Sequence, residues 1–308
     1  MPEIEVSVQS EPADLESWLA LARRVEAAGF SALVLGDHPG SGTAPWPALG
    51  AAAAVTRTLR LGTCVAQAGV REPMHVAADA LSLSVLAPGR VVLGIGAGHT
   101  PREWQDLGQD RPAARDRAGR LAEFVEVVAR LLRGETVTRD GRYLHLRESR
   151  LEGFPADAGR VAIAVGGGHP EILRSGARHA DVISLSGLGA TLADGHHHET
   201  RWSAADLRRQ LDLIRVEAQR AGTAPVIEAL VQRVSVTTDR AGAAEEISRL
   251  VPGPSAQDVA QSPFTLLGTH EQIADQLRRQ AATLGITSYV IREPAVPAME
   301  SVLALLRA

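Results

Sequence analysis

The chain has 308 residues, 45% of them hydrophobic, and a formal net charge of −4. That is enough apolar mass for a large core, and the absence of a basic excess excludes an electrostatic nucleic-acid binder. No apolar window reaches the ~18 residues of a membrane span. One cysteine, Cys64, excludes internal disulfides, and all 32 basic residues are arginine, which excludes Schiff-base lysine chemistry.

Ile4, Val6 and Val8 alternate through Glu3 to Gln9, which predicts a strand. From Asp14 to Ala28, Leu15, Trp18, Leu19, Ala22 and Val25 recur at helical spacing, and Gly29 is the expected stop. Residues 31–35 read as a second strand ending in Gly36-Asp37-His38-Pro39. An alanine-rich helix at 47–56, a third strand at 59–66 and a helix opened by Pro73 and closed by Pro88-Gly89 come next. Val91, Val92 and Leu93 then begin a strand that runs out through Gly94, Gly96 and Gly98 to His99. Alternating glycines at a strand exit let backbone approach something flat or bulky. They are a weak dinucleotide signal, because Thr100-Pro101 follows and a long polar loop is expected to about Gly119, where a helix to Arg133 begins.

Strands alternating with helices predict a parallel sheet. The alternation breaks at Thr136 to Leu146, a hairpin turning at Asp140-Gly141, and then resumes. Strands at 161–165 and 182–185, an irregular insert at 188–202 and a helix capped by Ser203 and Asp206 precede a strand within 226–237. Thr269 and Gln272 form a capping box for a helix ended by Gly285, and 287–291 is the last strand. The expected fold class is α/β, a single (β/α)8 barrel over residues 1–308, with 136–146 and 188–202 outside its core.

Chemistry in such a barrel gathers at the C-terminal strand ends. Those ends carry Gln9, Asp37-His38, Cys64-Val65, Gly96 to His99, Gly166 to Gly168 and Ser184 to Gly187. Glycosidase-spaced carboxylates, HExxH and G-x-S-x-G are all missing, which favours a site where a large flat cofactor does the chemistry. Three adjacent histidines, His196-His197-His198, cannot all reach one ion from regular structure, so no metal is expected and this stretch reads as a solvated loop. Trp46 and Trp104 fall in expected loops at the mouth.

Several stretches carry a resemblance. VEAAGFSALVLGDHP (25–39), TRTLRLGTCV (56–65), REPMHVAADALSLSVLAPGRVVLGIGAG (71–98) and LLGTHEQIADQL (266–277) resemble the bacterial luciferase-like family of flavin and deazaflavin enzymes. RYLHL (142–146), GGGHPEILRSGARHADVI (166–183) and LGITSYVI (284–291) match more loosely, and SPFTLLGT (262–269) resembles the actinobacterial subgroup that uses coenzyme F420. The resemblance implies an F420-dependent oxidoreductase that transfers hydride between the deazaflavin and a small organic substrate. The runner-up it admits is an FMN-dependent monooxygenase using reduced flavin and dioxygen, and after that a non-catalytic flavin-binding barrel.

By the same resemblance, Asp37 and His38 face the cofactor ring, with His38 the general acid or base and Asp37 orienting it or touching the ring. Cys64-Val65 matches the family's non-proline cis peptide behind the ring, and Ala97 and Gly98 pass along the cofactor. His99 stands where many members carry an aromatic residue or glutamate, so it is expected to contact substrate rather than to act as a carboxylic acid. Gly166, Gly167 and Gly168 before a helix offer N–H groups to a phosphate. Ser186 and Gly187 resemble the other phosphate contact, although the lysine that some relatives place next to them is Leu188 here. A cytoplasmic homodimer is implied, with 47–56 and 73–86 at its interface and no membrane or nucleic-acid partner.

Overall fold

The structure, a computed structural model, describes residues 3–155, 159–191 and 198–307. His196 and His197 lie outside the described residues. In chain order the strands are β1 (Glu5–Gln9), β2 (Ala32–Leu35), β3 (Arg60–Gln67), β4 (Val91–Gly96), β5 (Val137–Asp140), β6 (His145–Ser149), β7 (Ala162–Gly166), β8 (Val182–Leu185), β9 (Leu188–Thr191), β10 (His198–Thr200), β11 (Val226–Leu230), β12 (Arg233–Val236), β13 (Thr265–Gly268) and β14 (Ile286–Arg292). The helices are α1 (Leu15–Ala28), α2 (Pro45–Val55), α3 (Pro73–Leu86), α4 (Pro101–Asp106), α5 (Ala114–Leu132), α6 (Pro170–His179), α7 (Ala204–Ala221), α8 (Arg240–Leu250), α9 (Ala256–Gln261), α10 (His270–Leu284) and α11 (Val296–Arg307).

Eight of these strands close into one parallel barrel in the order β1, β2, β3, β4, β7, β8, β11, β14. They are the eight expected from the alternation of apolar runs and helical stretches. Closure comes from β1 lying parallel to β14, with Glu5 opposite Ser288 and Gln9 opposite Arg292. The helices begin and end where local chemistry dictates. Asp14 caps α1 by accepting the Ser17 N–H at 2.9 Å, and Gly29 ends it in the left-handed conformation at φ 79°. Thr269 and Gln272 form the reciprocal capping box of α10, and Gly285 ends it at φ 70°.

Leu33, Leu35, Leu61, Leu93 and Ile95 are fully buried in the cluster that joins the sheet to the helical ring. Inside the barrel the filling is small: Ala32, Val34 and Val290 form a second cluster. An interior cavity of about 80 Å³ is lined by Glu5, Arg60, Cys64, Ser184, Glu228 and Ser288 among others. Burial holds the Glu228 carboxyl above the usual carboxylate range, and Ser288 donates to it at 2.9 Å.

Two two-stranded antiparallel ribbons stand outside the barrel, β5 with β6 and β9 with β10. Four segments differ from the sequence reading, the first being 188–202, read as an irregular insert, which contains the antiparallel β9–β10 ribbon. The stretch 226–237 divides into the barrel strand β11 and a separate strand β12, which pairs in parallel with β13. The expected polar loop after His99 contains α4, and α5 begins at Ala114 rather than Gly119. Pro101 in the first turn starts that short helix, and its six residues are too few to show a period.

Candidate active site at the C-terminal barrel mouth

The floor of the mouth is built by β3. Its pairing with β4 shifts between Thr63 and Ala66, so one extra residue bulges out at the strand end, and the Cys64–Val65 peptide is cis as the resemblance implied. The glycines of β4 have an internal reason as well as an expected ligand. A Cβ on Gly94 would strike the Thr63 carbonyl, and one on Gly96 would strike the Val65 side chain. A Cβ on Gly166 of β7 would also sit 3.2 Å from Val65. Val65 thus rests between the two glycine-bearing strands, half-buried at the centre of the floor. Burial pushes the Cys64 thiol up to about 12, so it stays protonated and is no nucleophile.

On one side of Val65 lies a cluster of histidines and carboxylates. His38, just past β2, places Nδ1 2.7 Å from Oε1 of Glu103 on α4. Glu103 is 2% exposed, and its other oxygen accepts from the side-chain amide of Gln67 at the end of β3. The hydrogen bond to Glu103 raises His38 above the ordinary imidazole value, against an opposing effect of burial. His99 stands edge-on to His38 with ring centroids 6.1 Å apart. Burial, then the neighbouring His198 and His38, pushes His99 down to about 4.

Asp37 does not hold the imidazole. Its buried carboxylate pairs with Arg71 through two bonds, at 2.7 and 3.1 Å, and accepts the Gln67 N–H at 3.2 Å. It therefore ties the β2 exit to the β3 exit, and the orienting carboxylate is Glu103. Gly98, at φ 74°, lies over Gln67, which a Cβ there would meet at 2.7 Å. Its carbonyl accepts Arg117 Nε at 3.0 Å, and Ala97 is half-buried beside it. Trp104 is 3% exposed and packs against Gly69, so it belongs to the core beneath the mouth.

On the other side of Val65, Gly166 to Gly168 leave β7 and precede α6, whose N-cap is His169. The Gly167 N–H donates to the Ser184 carbonyl at 3.2 Å, which joins this loop to β8 and, contrary to the sequence expectation, commits that N–H within the fold rather than leaving it for a phosphate. Ser186 and Gly187 follow β8. Gln232 Nε2 donates to the Ser186 carbonyl at 3.2 Å, and the Arg201 N–H donates to the Gly187 carbonyl at 2.8 Å. Gly187 is buried at φ 67°, where a Cβ would run into Phe264 and Trp202. The Trp202 indole N–H is buried there without an acceptor. This half of the mouth is glycine backbone with the Ser186 hydroxyl, which accepts the Leu188 N–H at 3.3 Å and keeps its own proton to donate, and the unpartnered Trp202 N–H, a set suited to an anionic tail.

The mouth therefore joins a proton-handling end at β2 and β4 to a glycine cradle at β7 and β8. Glu103, Gln67 and Arg71 are the members that sequence reading passed over, and His198, read from sequence as part of a solvated loop, is instead half-buried on β10 with its ring on His99. Thr100-Pro101 with Glu103 is a helix-start pattern that could have drawn attention to Glu103. Among the described residues no His, Cys, Asp or Glu group could hold a metal ion.

Known proteins match this chain at several levels. The luciferase-like monooxygenase family matches residues 1–262. An F420-dependent glucose-6-phosphate dehydrogenase of Beutenbergia cavernae is 36% identical over 193 residues, 60% of this chain and 56% of that protein. A 4-hydroxyprotoasukamycin monooxygenase of Streptomyces nodosus subsp. asukaensis is 37% identical over 162 residues, 50% of this chain and 43% of that protein. The matched stretch thus spans about half the length of these curated relatives. Among solved structures, an F420-dependent secondary alcohol dehydrogenase in complex with an F420-acetone adduct superposes with a TM-score of 0.76 at 19% identity, covering 99% of this chain and 100% of the other. At that identity the likeness shows the fold.

Proposed function

The chain belongs to the luciferase-like monooxygenase family, and on that premise we propose that it is an F420-dependent oxidoreductase acting on a small organic substrate. The observation that carries the reading is the His38–Glu103 pair at the β2 end of a glycine-lined mouth. The residues fit the cofactor. Val65 and Ala97 offer a half-buried apolar floor for a flat ring, and the cradle with its unpartnered Trp202 N–H suits a phosphate tail.

When bound, the deazaflavin supplies the carbon that accepts or gives the hydride. The chain's own residues handle the proton. Nδ1 of His38 donates to Glu103, which fixes the tautomer and leaves Nε2 to take a proton from a substrate hydroxyl or return one to a carbonyl. His99 supplies a neutral imidazole beside it, able to hydrogen-bond the same substrate oxygen. Asp37 acts as a brace, paired with Arg71 beneath the loop. Gly166 to Gly168, Ser186 and the loop at Gly187 hold the anionic tail.

The competing reading is an FMN-dependent monooxygenase, supported by the match to the Streptomyces enzyme. The F420 reading is favoured because the Beutenbergia relative and others of similar identity are named as F420-dependent. Equilibrium titration of the purified chain with F420 and with FMN tests it. Saturable F420 binding with weaker FMN binding is expected, and tight FMN binding without F420 binding would overturn it.

No helix among the described residues is long and apolar enough to cross a membrane, and the single cysteine suits a reducing cytoplasm. A homodimer through α2 and α3 is part of the same reading, supported by Leu86 and Val85, which stand 65% and 41% exposed at the end of α3. Light scattering that gives the monomer mass at micromolar concentration would contradict the dimer.

A further inference from the structure

His198 belongs to β10, in the small ribbon that follows β8, and the barrel does not need it for closure. Its ring nevertheless packs on His99, with centroids 4.9 Å apart and planes at 61°. Its Nδ1 lies 3.4 Å from the Gly189 carbonyl on β9, which turns the ring inward. His99 in turn meets His38 at 6.1 Å and 88°. Three imidazoles from three different elements therefore form a row ending on Glu103.

We propose that His198 is a positioning residue: by packing on His99 it fixes that imidazole beside His38, so the β9–β10 ribbon completes the proton-handling end of the mouth. The proposal rests on the oxidoreductase reading for its catalytic consequence, but not for the contact itself.

Charge explains why such a row is useful. The groups facing His99 are His38, Glu103, His198 and Arg111, and those facing His38 are Glu103, Glu11 and Asp37. Glu103 lies against His38 and Gln67, and Asp37 is held by Arg71. The carboxylates Glu103 and Glu11 thus favour an imidazolium at His38, and the one of them that is hydrogen-bonded to a ring of the row, Glu103, is bonded to His38. A charged His99 would face a second basic ring on either side and a guanidinium beyond, in a partly desolvated setting. His99 is pushed down to about 4 by burial and those neighbours, whereas His38 is raised. The row then carries its proton at one defined ring, and His99 remains a neutral hydrogen-bonding group for the substrate oxygen.

The test follows the histidine ring Cε1–H signals by NMR during a pH titration of the full chain without cofactor, for the wild type, His198→Ala and His198→Phe. In His198→Ala the His99 midpoint should rise from about 4 toward the ordinary value of about 6.5. His198→Phe keeps a packing ring without a charge, so it should give a smaller rise. With F420 and an identified substrate, His198→Ala should lower kcat about tenfold, less than the ~10² loss for a misplaced catalytic group. F420 affinity should hold, since the cradle lies at the other side of Val65, and His198→Phe should recover most of the lost kcat. An unmoved His99 midpoint in both variants would overturn the proposal. So would an equal kcat loss in both, because ring packing would then not be the role. Failure to bind F420 would sink the cofactor reading while leaving the NMR result to decide the contact.

Discussion

Nδ1 of His38 and Oε1 of Glu103 are 2.7 Å apart, and they come from segments 65 residues apart in the chain. The carboxylate is buried and the imidazole is 37% exposed, so the pair has one end in protein and one end toward the open mouth. A carboxylate behind and free space in front is the arrangement a proton carrier needs.

Glu103→Gln should move the pH–rate limb that belongs to His38 to lower pH, because the hydrogen bond to Glu103 is the main cause that raises it. Turnover should fall about tenfold or more at neutral pH, within the range for general acid–base groups. The pair also links stability to pH. A folded-state value raised above the unfolded one gives stabilisation that is fully present below about pH 6.5 and is lost as pH rises through the folded value. The Tm gap between wild type and variant should therefore narrow on the alkaline side. A limb that stays in place would show that the pair does not form in solution.

Gly168→Asp should weaken F420 binding about tenfold or more by placing a carboxylate in the cradle, while Gly168→Asn should weaken it less. Gly168 is a better probe than Gly167. Gly167 sits at φ 146°, so any side chain there strains the backbone. A Cβ on Gly168 meets mainly the end of the flexible Gln210 side chain, at 2.7 Å. Tm should thus change little in either Gly168 variant. Equal affinity of the Asp and Asn variants for F420, measured by calorimetry, would argue that the phosphate lies elsewhere.

Acid stability should depend on Glu26. Its Oε1 accepts the N–H groups of Arg57, Thr58 and Leu59 at 2.7, 2.7 and 2.9 Å, which fastens α1 to the loop before β3. These donors hold it down to about 2, against the opposing effect of its partial burial. A depressed folded-state value gives stabilisation that is present above the ordinary carboxylate value and lost as pH falls toward 2. Glu26→Ala should cost about 0.5–1.5 kcal/mol at pH 7, the net worth of hydrogen bonds whose donors water can reach once the carboxylate is gone. The difference from wild type should shrink between about pH 4.5 and 2. A pH-independent difference in thermal melts would assign the loss to packing instead.

The barrel was legible because each of its eight strands is a short apolar run separated from the next by a helix-length stretch, and Gly29 and Gly285 mark helix ends by a conformation that other residues avoid. The glycines of β4 were also visible as a break in strand pattern, whereas the unusual peptide at Cys64-Val65 came from the family resemblance alone. What escaped depends on tertiary approach. Thr265–Gly268 pairs with Arg233–Val236 outside the barrel, and a four-residue strand with two leucines does not by itself declare a partner. Glu103 looked like one charge in a polar loop until α4 turned it inward toward His38. Asp37 stands next to His38 in sequence, yet adjacent side chains leaving a strand diverge, and Arg71 claims it. His198 gained a site only when β9 and β10 paired and carried it to His99.

The most direct test is turnover of His38→Ala and His38→Asn with F420 and an identified substrate, measured beside F420 affinity and Tm. Removing the imidazole leaves Glu103 buried with Gln67 as its remaining partner, so the Asn variant, which keeps a donor, controls for a folding loss. The expected result is a fall in kcat of ~10²-fold or more in both variants, with F420 affinity within about threefold of wild type because the cradle is untouched. Near-normal turnover in His38→Ala would contradict the assignment of proton transfer to His38.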